Sequence, residues 1–282
     1  MTNPHPDLPY RGLAEGLPSD LPLSPSTMPL IRGGRLRKRW RYVGVYGAEI
    51  MICVASVEIG PVRQSFWAVW DRVAGRLYEN TAMRRHPVQL TPGRVLVTDG
   101  DATIDLAFTE QDDVQIVTPD GGQFTWTRKM APLRVRGIVE IGPRLWNVDA
   151  LAIVDDSAGY HARHTVWTWS AGVGLDPAGN PVAWNLVAGL NDQPTNSERS
   201  VWSGGQSREV GPVCFAPDMS SVSFHEGGSL TFNEESRRAR DENRLIIRSS
   251  YVQPFGTFSG TLPGAIEVAE GYGVMEKHDV YW

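Results

Sequence analysis

Apolar and polar residues alternate with a period of two over most of this chain, a pattern that predicts strands rather than helices. From Glu49 onward the runs are EIMICVASVEI, QSFWAVWDR, RVLVTD, ATIDLAF, DVQIVT, QFTWTRK, RVRGIVEI and LWNVDALAIV, separated by turns rich in Gly, Pro or Asp. PDGG at 119–122 predicts a tight hairpin, because glycine after Asp supplies the positive φ such a turn requires. Beyond the middle of the chain come PVCFA, SVSF, SLTF, NRLIIRSSYV and a terminal AIEVAEGYGVMEKHDVYW; only ESRRARDEN, 235–243, reads as a possible helical turn. So many short strands predict an all-β sandwich or barrel, two of them at this length.

The densest stretch is 155–192, DDSAGYHARHTVWTWSAGVGLDPAGNPVAWNLVAGLND, which reads as a hairpin turning at DPAGN with ionisable residues at its ends. An echo supports two units: EIGP occurs at 58–61 and again at 140–143, and Asp-x-x-Ala-Gly follows at 71–75 and 155–159. The expected organisation is a proline-rich extended arm over 1–31, a first barrel-like domain over 32–132 and a second over 133–282, with the boundary near Pro132. The prolines of the arm, Pro4, Pro6, Pro9, Pro18, Pro22, Pro25 and Pro29, break periodic structure. The arm is expected to wrap the surface and to cost less than about 1 kcal/mol when removed.

With 282 residues and 41% apolar side chains the chain is long enough for well-buried cores. A net charge of −5 argues against nucleic acid as a partner. No secretory signal or membrane-spanning run is read, so a cytoplasmic location is expected. Cys53 and Cys214 sit in apolar segments without ligand spacing, which predicts two buried, inert thiols; no metal and no cofactor is expected. The basic segment from Arg32 to Arg41 reads either as a solvated strand edge or as a peripheral contact for a lipid headgroup or other anion.

The candidate chemistry lies in the central stretch. Strand alternation puts Arg163, Thr165, Trp167 and Trp169 on one face, assigned to the inside of a barrel, and His164, Val166, Thr168 and Ser170 on the other. Arg163 with Trp167 and Trp169 would hold an amphipathic ligand, or pack as ordinary core with Arg163 in a salt bridge. Asp155 and Asp156 are candidate acids: burial of one beside the other raises a carboxyl pKa, whereas Asp before Ser-Ala-Gly is also a common turn former. Alternation lets only one of the two face a ligand. His161 is a candidate proton donor or acceptor, or a loop histidine with a backbone partner. Tyr160, Asn185, Asn191, Asp192 and Glu198 complete the polar set.

With DDSAGYHARHTVWTWSAGVG, PVAWNLVAGLND, SERSVW and GYGVMEKH in view, the chain resembles a bacterial family known as a domain of unknown function. That family is similar to the lipocalin-like double-barrel group of hydroxyneurosporene synthase (carotenoid hydratase), kievitone hydratase and AttH-like proteins. The resemblance implies two consecutive calycin-like antiparallel β-barrels, an apolar ligand, and an acidic group that protonates a carbon-carbon double bond before water adds. Two functions compete: a carrier or sensor for an isoprenoid, steroid or fatty-acyl-like molecule, and a cofactor-independent hydratase, cyclase or isomerase acting on one. A scaffold presenting the arm to a partner protein leaves the central stretch without a role.

Overall fold

The structure, a computed structural model, describes residues 8–83, 85–244 and 247–282; Pro4 and Pro6 of the arm and Leu245 and Ile246 of the expected 243–252 strand lie outside them. The N-terminal segment forms β1 (Tyr10–Gly12) and the small hairpin β2 (Ile31–Arg32) and β3 (Arg35–Leu36). The first unit continues with β4 (Lys38–Tyr46), β5 (Ile50–Ile59), β6 (Val62–Asp71), β7 (Arg76–Ala82), β8 (Val88–Thr91), β9 (Arg94–Asp99), β10 (Ala102–Phe108), β11 (Gln115–Asp120), β12 (Gln123–Ile141) and β13 (Arg144–Gly159). The second comprises β14 (His164–Leu175), β15 (Pro181–Ala188), β16 (Ser200–Ser203), β17 (Gln206–Glu209), β18 (Val213–Phe215), β19 (Ser221–Phe224), β20 (Ser229–Arg244), β21 (Ile247–Leu262) and β22 (Ile266–Tyr281). Among these elements no helix is long and apolar enough to cross a membrane.

The first sheet runs β7-β6-β5-β4-β13-β12-β10-β9-β8 and the second β17-β16-β15-β14-β22-β21-β20-β19-β18. These are the same order: in each, the first strand of the unit pairs antiparallel with its last, and the rest meander outward. Among the described residues β1 and β11, paired with each other beside β12, have no counterpart in the second sheet. β8 packs over β5 and β6, and β18 over β15, so each sheet curls into a lipocalin-like barrel. The EIGP echo does not mark this repeat. Both copies are hairpin turns of the first sheet, between β5 and β6 and between β12 and β13. The chain passes between sheets after Gly159, while Pro132 lies inside β12, where the ladder shifts register between Met130 and Leu133 to accommodate a residue that cannot donate.

Three apolar layers explain the strand patterns. Val43, Val45, Ile52, Val54, Val69 and Ile104 fill the first barrel, and Val182, Trp184, Leu186, Val222, Phe258 and Met275 fill the second. Trp184 lies so close over Gly172 that a Cβ there would meet its ring at 2.2 Å. The third layer is the seam between barrels, joining Tyr42, Met51, Cys53, Ala68 and Ile153 of the first to Trp169, Ala171, Val187, Phe255 and Val274 of the second. A strand such as β5, buried on both faces, therefore reads as an unbroken apolar run, whereas β10 has solvent on one face and alternates.

The predicted hairpins at 119–122 and 176–180 are present. Gly121 and Gly122 turn with φ of 53° and 80°, and the Asp176 carboxylate accepts the amides of Ala178 and Asn180. Other expectations are corrected. Residues 235–243 lie in β20 and not in a helical turn, because pairing with β21 overrides local propensity. The arm does more than wrap the surface: Leu8, Leu21, Leu23 and Met28 are buried against Val117, Phe124, Trp126 and Tyr160. Each such side chain is worth about 1.5–3 kcal/mol, so removing the arm costs well above the small loss expected. β4 is no edge, being paired with β5 and β13 on its two sides. Its basic segment is engaged internally, Arg35 with Asp120, Arg37 with Glu58, and Arg41 with Glu110 and Asp156. Cys53 is buried, its thiol pushed up to about 12 by desolvation, but Cys214 is exposed, on the outward face of a strand whose flanking Val213 and Phe215 pack on the second core.

Candidate functional site

A cavity of about 160 Å³ lies in the seam. β4 contributes Trp40 and Tyr42 to it, β5 Ala55, Val57 and Ile59, β6 Gln64 and Phe66, β12 Lys129 and β13 Asp155. From the second barrel come Trp167 and Trp169 of β14, Val187 of β15, Leu190 and Glu198 of the loop that follows, Arg238 of β20, Tyr251 of β21, and Glu276, His278 and Val280 of β22, with Trp282 beyond them. The site thus forms on the outer faces of both barrels. The Trp face of β14 points into the seam, while Ser170 on the opposite face accepts the Trp184 indole N–H inside the second barrel. The expected assignment of inside and outside is reversed.

One wall is aromatic. The Trp167 and His278 rings stand 4.3 Å apart, Tyr251 meets His278 edge-on at 5.2 Å, and Tyr42 meets Trp169 edge-on at 5.4 Å. Arg238 covers the Phe66 ring at 4.0 Å. Burial drives the His278 pKa down to about 3, so the imidazole is neutral, and its Nε2 lies 2.8 Å from the Ser249 hydroxyl. Burial likewise raises the phenols of Tyr42 and Tyr251, which remain protonated.

Set into this wall are three carboxyls. Glu276 accepts the Trp167 indole N–H on Oε1 at 2.8 Å and the Gln253 amide on Oε2 at 2.9 Å. Desolvation outweighs those two bonds, and with the charge of Asp155 it pushes the Glu276 carboxyl up to about 7. Asp155 Oδ2 lies 2.5 Å from Lys129 Nζ, and Glu198 Oε2 lies 3.5 Å from it. Burial holds both carboxyls above the usual range against the pull of Lys129. The fully buried ammonium is itself desolvated, but the two carboxylates outweigh that cost and keep it charged.

The structure separates the residues singled out from sequence. Asp155, Trp167 and Trp169 line the cavity. Asp156 faces the other way, where Arg41 grips both its oxygens and Arg128 Nη2 donates to Oδ2 at 2.6 Å, as strand alternation requires. His161 is fully buried 4.9 Å from the Trp40 ring, without a hydrogen-bond partner for either ring nitrogen, and desolvation takes its pKa to about 3. It does not line the cavity, and neither does Tyr160, whose hydroxyl donates to Pro29 O under the arm. Arg163 is exposed, its carbonyl accepting the Trp282 amide. Asn185 and Asn191 stand behind the wall: Asn185 accepts the Trp169 indole N–H and donates to Glu198 O, and Asn191, at φ 50°, donates to Glu198 Oε2 and accepts from Thr125. Lys129, Glu276, Tyr251 and Arg238 were not singled out. Their signal is an ionisable or hydroxyl side chain on a strand face otherwise apolar, as Glu276 between Val274 and Val280.

Residues 97–282 match the family described as a domain of unknown function, DUF2804, and the chain belongs to that family. No curated protein sequence matches it. Its fold is similar to that of an AttH-like protein from Nitrosomonas europaea, at 13% identity over 89% of this chain and 98% of that one, with a TM-score of 0.58. It is also similar to kievitone hydratase from Nectria haematococca, at 7% identity over 85% and 88% of the two chains, with a TM-score of 0.54. At such identities the likeness carries the lipocalin-like double-barrel fold and nothing about the reaction.

Proposed function

We propose that the seam cavity binds an apolar or amphipathic small molecule, isoprenoid, steroid or fatty-acyl-like in bulk, and that Glu276 transfers a proton to it. The reaction class is hydration or isomerisation of a double bond by side-chain acid–base chemistry. The observation that carries this reading is a carboxyl poised at about 7 in an aromatic wall. A group titrating near the working pH is populated as an acid and returns readily from its conjugate base. The indole faces of Trp167 and Trp169 stabilise positive charge as it develops on carbon. A fold shared with a protein named as a hydratase supports the reading without identifying the substrate.

A carrier reading draws on one specific feature, that both Glu276 oxygens already accept hydrogen bonds from the wall. The two separate in one experiment. Protein purified from its own host is extracted and the retained ligand identified by native mass spectrometry; turnover and affinity are then measured for wild type and Glu276→Gln. The amide keeps the shape but holds no acid proton, so turnover is lost while affinity stays within a few fold. No turnover in either protein leaves the carrier, and unchanged turnover in Glu276→Gln removes Glu276 as the acid.

A further inference from the structure

Besides Glu276 the cavity holds a second buried carboxyl with an open acceptor. Asp155 is 6% exposed, and its Oδ2 is taken by Lys129 while its Oδ1 meets no donor at full hydrogen-bond geometry, although the Trp40 indole stands beside it. The Lys129 ammonium holds this carboxylate. Its strand is paired on both sides, with Lys129 opposite on β12 and Tyr42 opposite on β4. Lys129 is in turn held by Glu198, which Asn191 fixes from behind. The Tyr251 hydroxyl in the same lining, also buried, meets no partner at hydrogen-bond geometry, although Glu276 and Arg238 stand beside it. The group presented at the Asp155 end is therefore a charged acceptor, fixed in place and short of one donor. A buried acceptor left without a donor costs free energy that a bound donor recovers.

The cations that line the cavity do not invite an anion. Lys129 is shared between Asp155 and Glu198, Arg240 pairs with Glu242 at 2.5 Å, and Arg238 pairs with Glu79 at 2.8 Å. A carboxylate head entering here would face Asp155, Glu198 and Glu276 with each nearby cation already paired. An ammonium head would meet the buried Lys129 charge and the Arg238 guanidinium in the same wall. A neutral hydroxyl avoids both repulsions and supplies the missing proton donor.

We infer that the seam cavity selects ligands whose polar end is a neutral hydroxyl, an alcohol or a phenol, which donates to Oδ1 of Asp155 while the apolar body lies against the Trp wall. The inference rests on the binding reading above and is independent of proton transfer by Glu276.

The test is a matched set on one aromatic frame: naphthylmethanol, naphthylmethylammonium, naphthoate and methylnaphthalene, titrated calorimetrically into the full-length protein at neutral pH. Naphthylmethanol is expected to bind roughly tenfold to a hundredfold tighter than methylnaphthalene, the range for a hydrogen bond to a charged group, and naphthoate weakest of the four. In Asp155→Asn the advantage of the alcohol falls to a few fold while methylnaphthalene binds as before; should that variant fail to fold for want of a full partner to Lys129, the wild-type ranking decides alone. Equal binding of the alcohol and methylnaphthalene, or tightest binding of the ammonium or of naphthoate, overturns the hydroxyl selection and leaves the cavity as a binding site. Failure of all four to bind removes the binding reading together with it.

Discussion

The interiors of the two barrels and the seam between them are both buried, yet they are built from different residues. Inside, branched aliphatic side chains pack to the centre, and the indole of Trp184 finds its acceptor in the neighbouring Ser170. In the seam, Asp155, Glu198, Glu276, Lys129 and Arg238 share a cavity with four tryptophans. A filled interior carries stability; a layer that buries ionisable groups without filling its volume is the place where a ligand and perturbed protonation states coincide. In this fold the repeated unit supplies the scaffold twice, and the site belongs to neither copy alone.

The sharpest way to break the contrast is to remove the seam's cation. Lys129→Met leaves Asp155 and Glu198 buried without their counter-charge and is expected to cost about 3–5 kcal/mol in equilibrium urea unfolding. A loss below 1 kcal/mol on the order of a surface pair would show that the seam is wet and its charges weakly coupled. Next comes the interior. Leu186→Ala in the second barrel is expected to cost about 2–5 kcal/mol by cavity formation, while affinity for methylnaphthalene stays within twofold. Trp167→Ala should reverse the pattern, losing affinity with the smaller loss of stability, because Trp167 is only half buried and lines the cavity.

A third test sharpens the contrast through pH. The Glu276 carboxyl is raised from 4.5 to about 7, so between those values the native state holds a proton that the unfolded state has released. Stability from this group is therefore fully present below 4.5, declines as pH rises to 7 and is flat above, an integrated change of about 3 kcal/mol. His278, lowered from 6.5 to about 3, acts with the opposite sign: the native state stays neutral where the unfolded state protonates, and stability falls as pH drops from 6.5 toward 3. Subtracting the stability profile of Glu276→Gln from that of the wild type isolates the first effect. A flat difference would mean that Glu276 is solvated in solution.

The sequence made the strands and the central hairpin legible because period-two alternation and turn residues are local signals. It made the seam legible too: IMICVA and VAWNLV are almost wholly apolar and buried at every position because both faces of β5 and β15 are covered. Alternation says which residues share a face and is silent on which face is the inside, so it groups Trp167 with Trp169 but does not report that they face the seam. Asp155 stood out by its doubled carboxylate. Glu276 and Lys129, far from 155–192 in sequence, come beside that stretch only through β22 pairing with β14 and β12 with β13. No local pattern reports such a juxtaposition. The arm was misjudged for a related reason, since four apolar residues scattered among prolines have no period and yet find one patch on the first barrel.

The smallest expected effect is the most direct check on where the cavity lies. From strand alternation alone, Arg163 shares a face with Trp167 and would anchor a ligand's polar end, so Arg163→Ala would weaken binding by about 1.5–3 kcal/mol, the range for a charge-assisted hydrogen bond. The structure places Arg163 before the first residue of β14, exposed, outside the cavity lining, and tied to the fold through its backbone carbonyl, which the substitution keeps. Arg163→Ala should therefore leave methylnaphthalene and naphthylmethanol affinities within twofold of wild type by calorimetry. A loss of tenfold or more on either probe would move the ligand out of the seam and toward the end of the second barrel, and the division between filled interiors and a binding seam would fail with it.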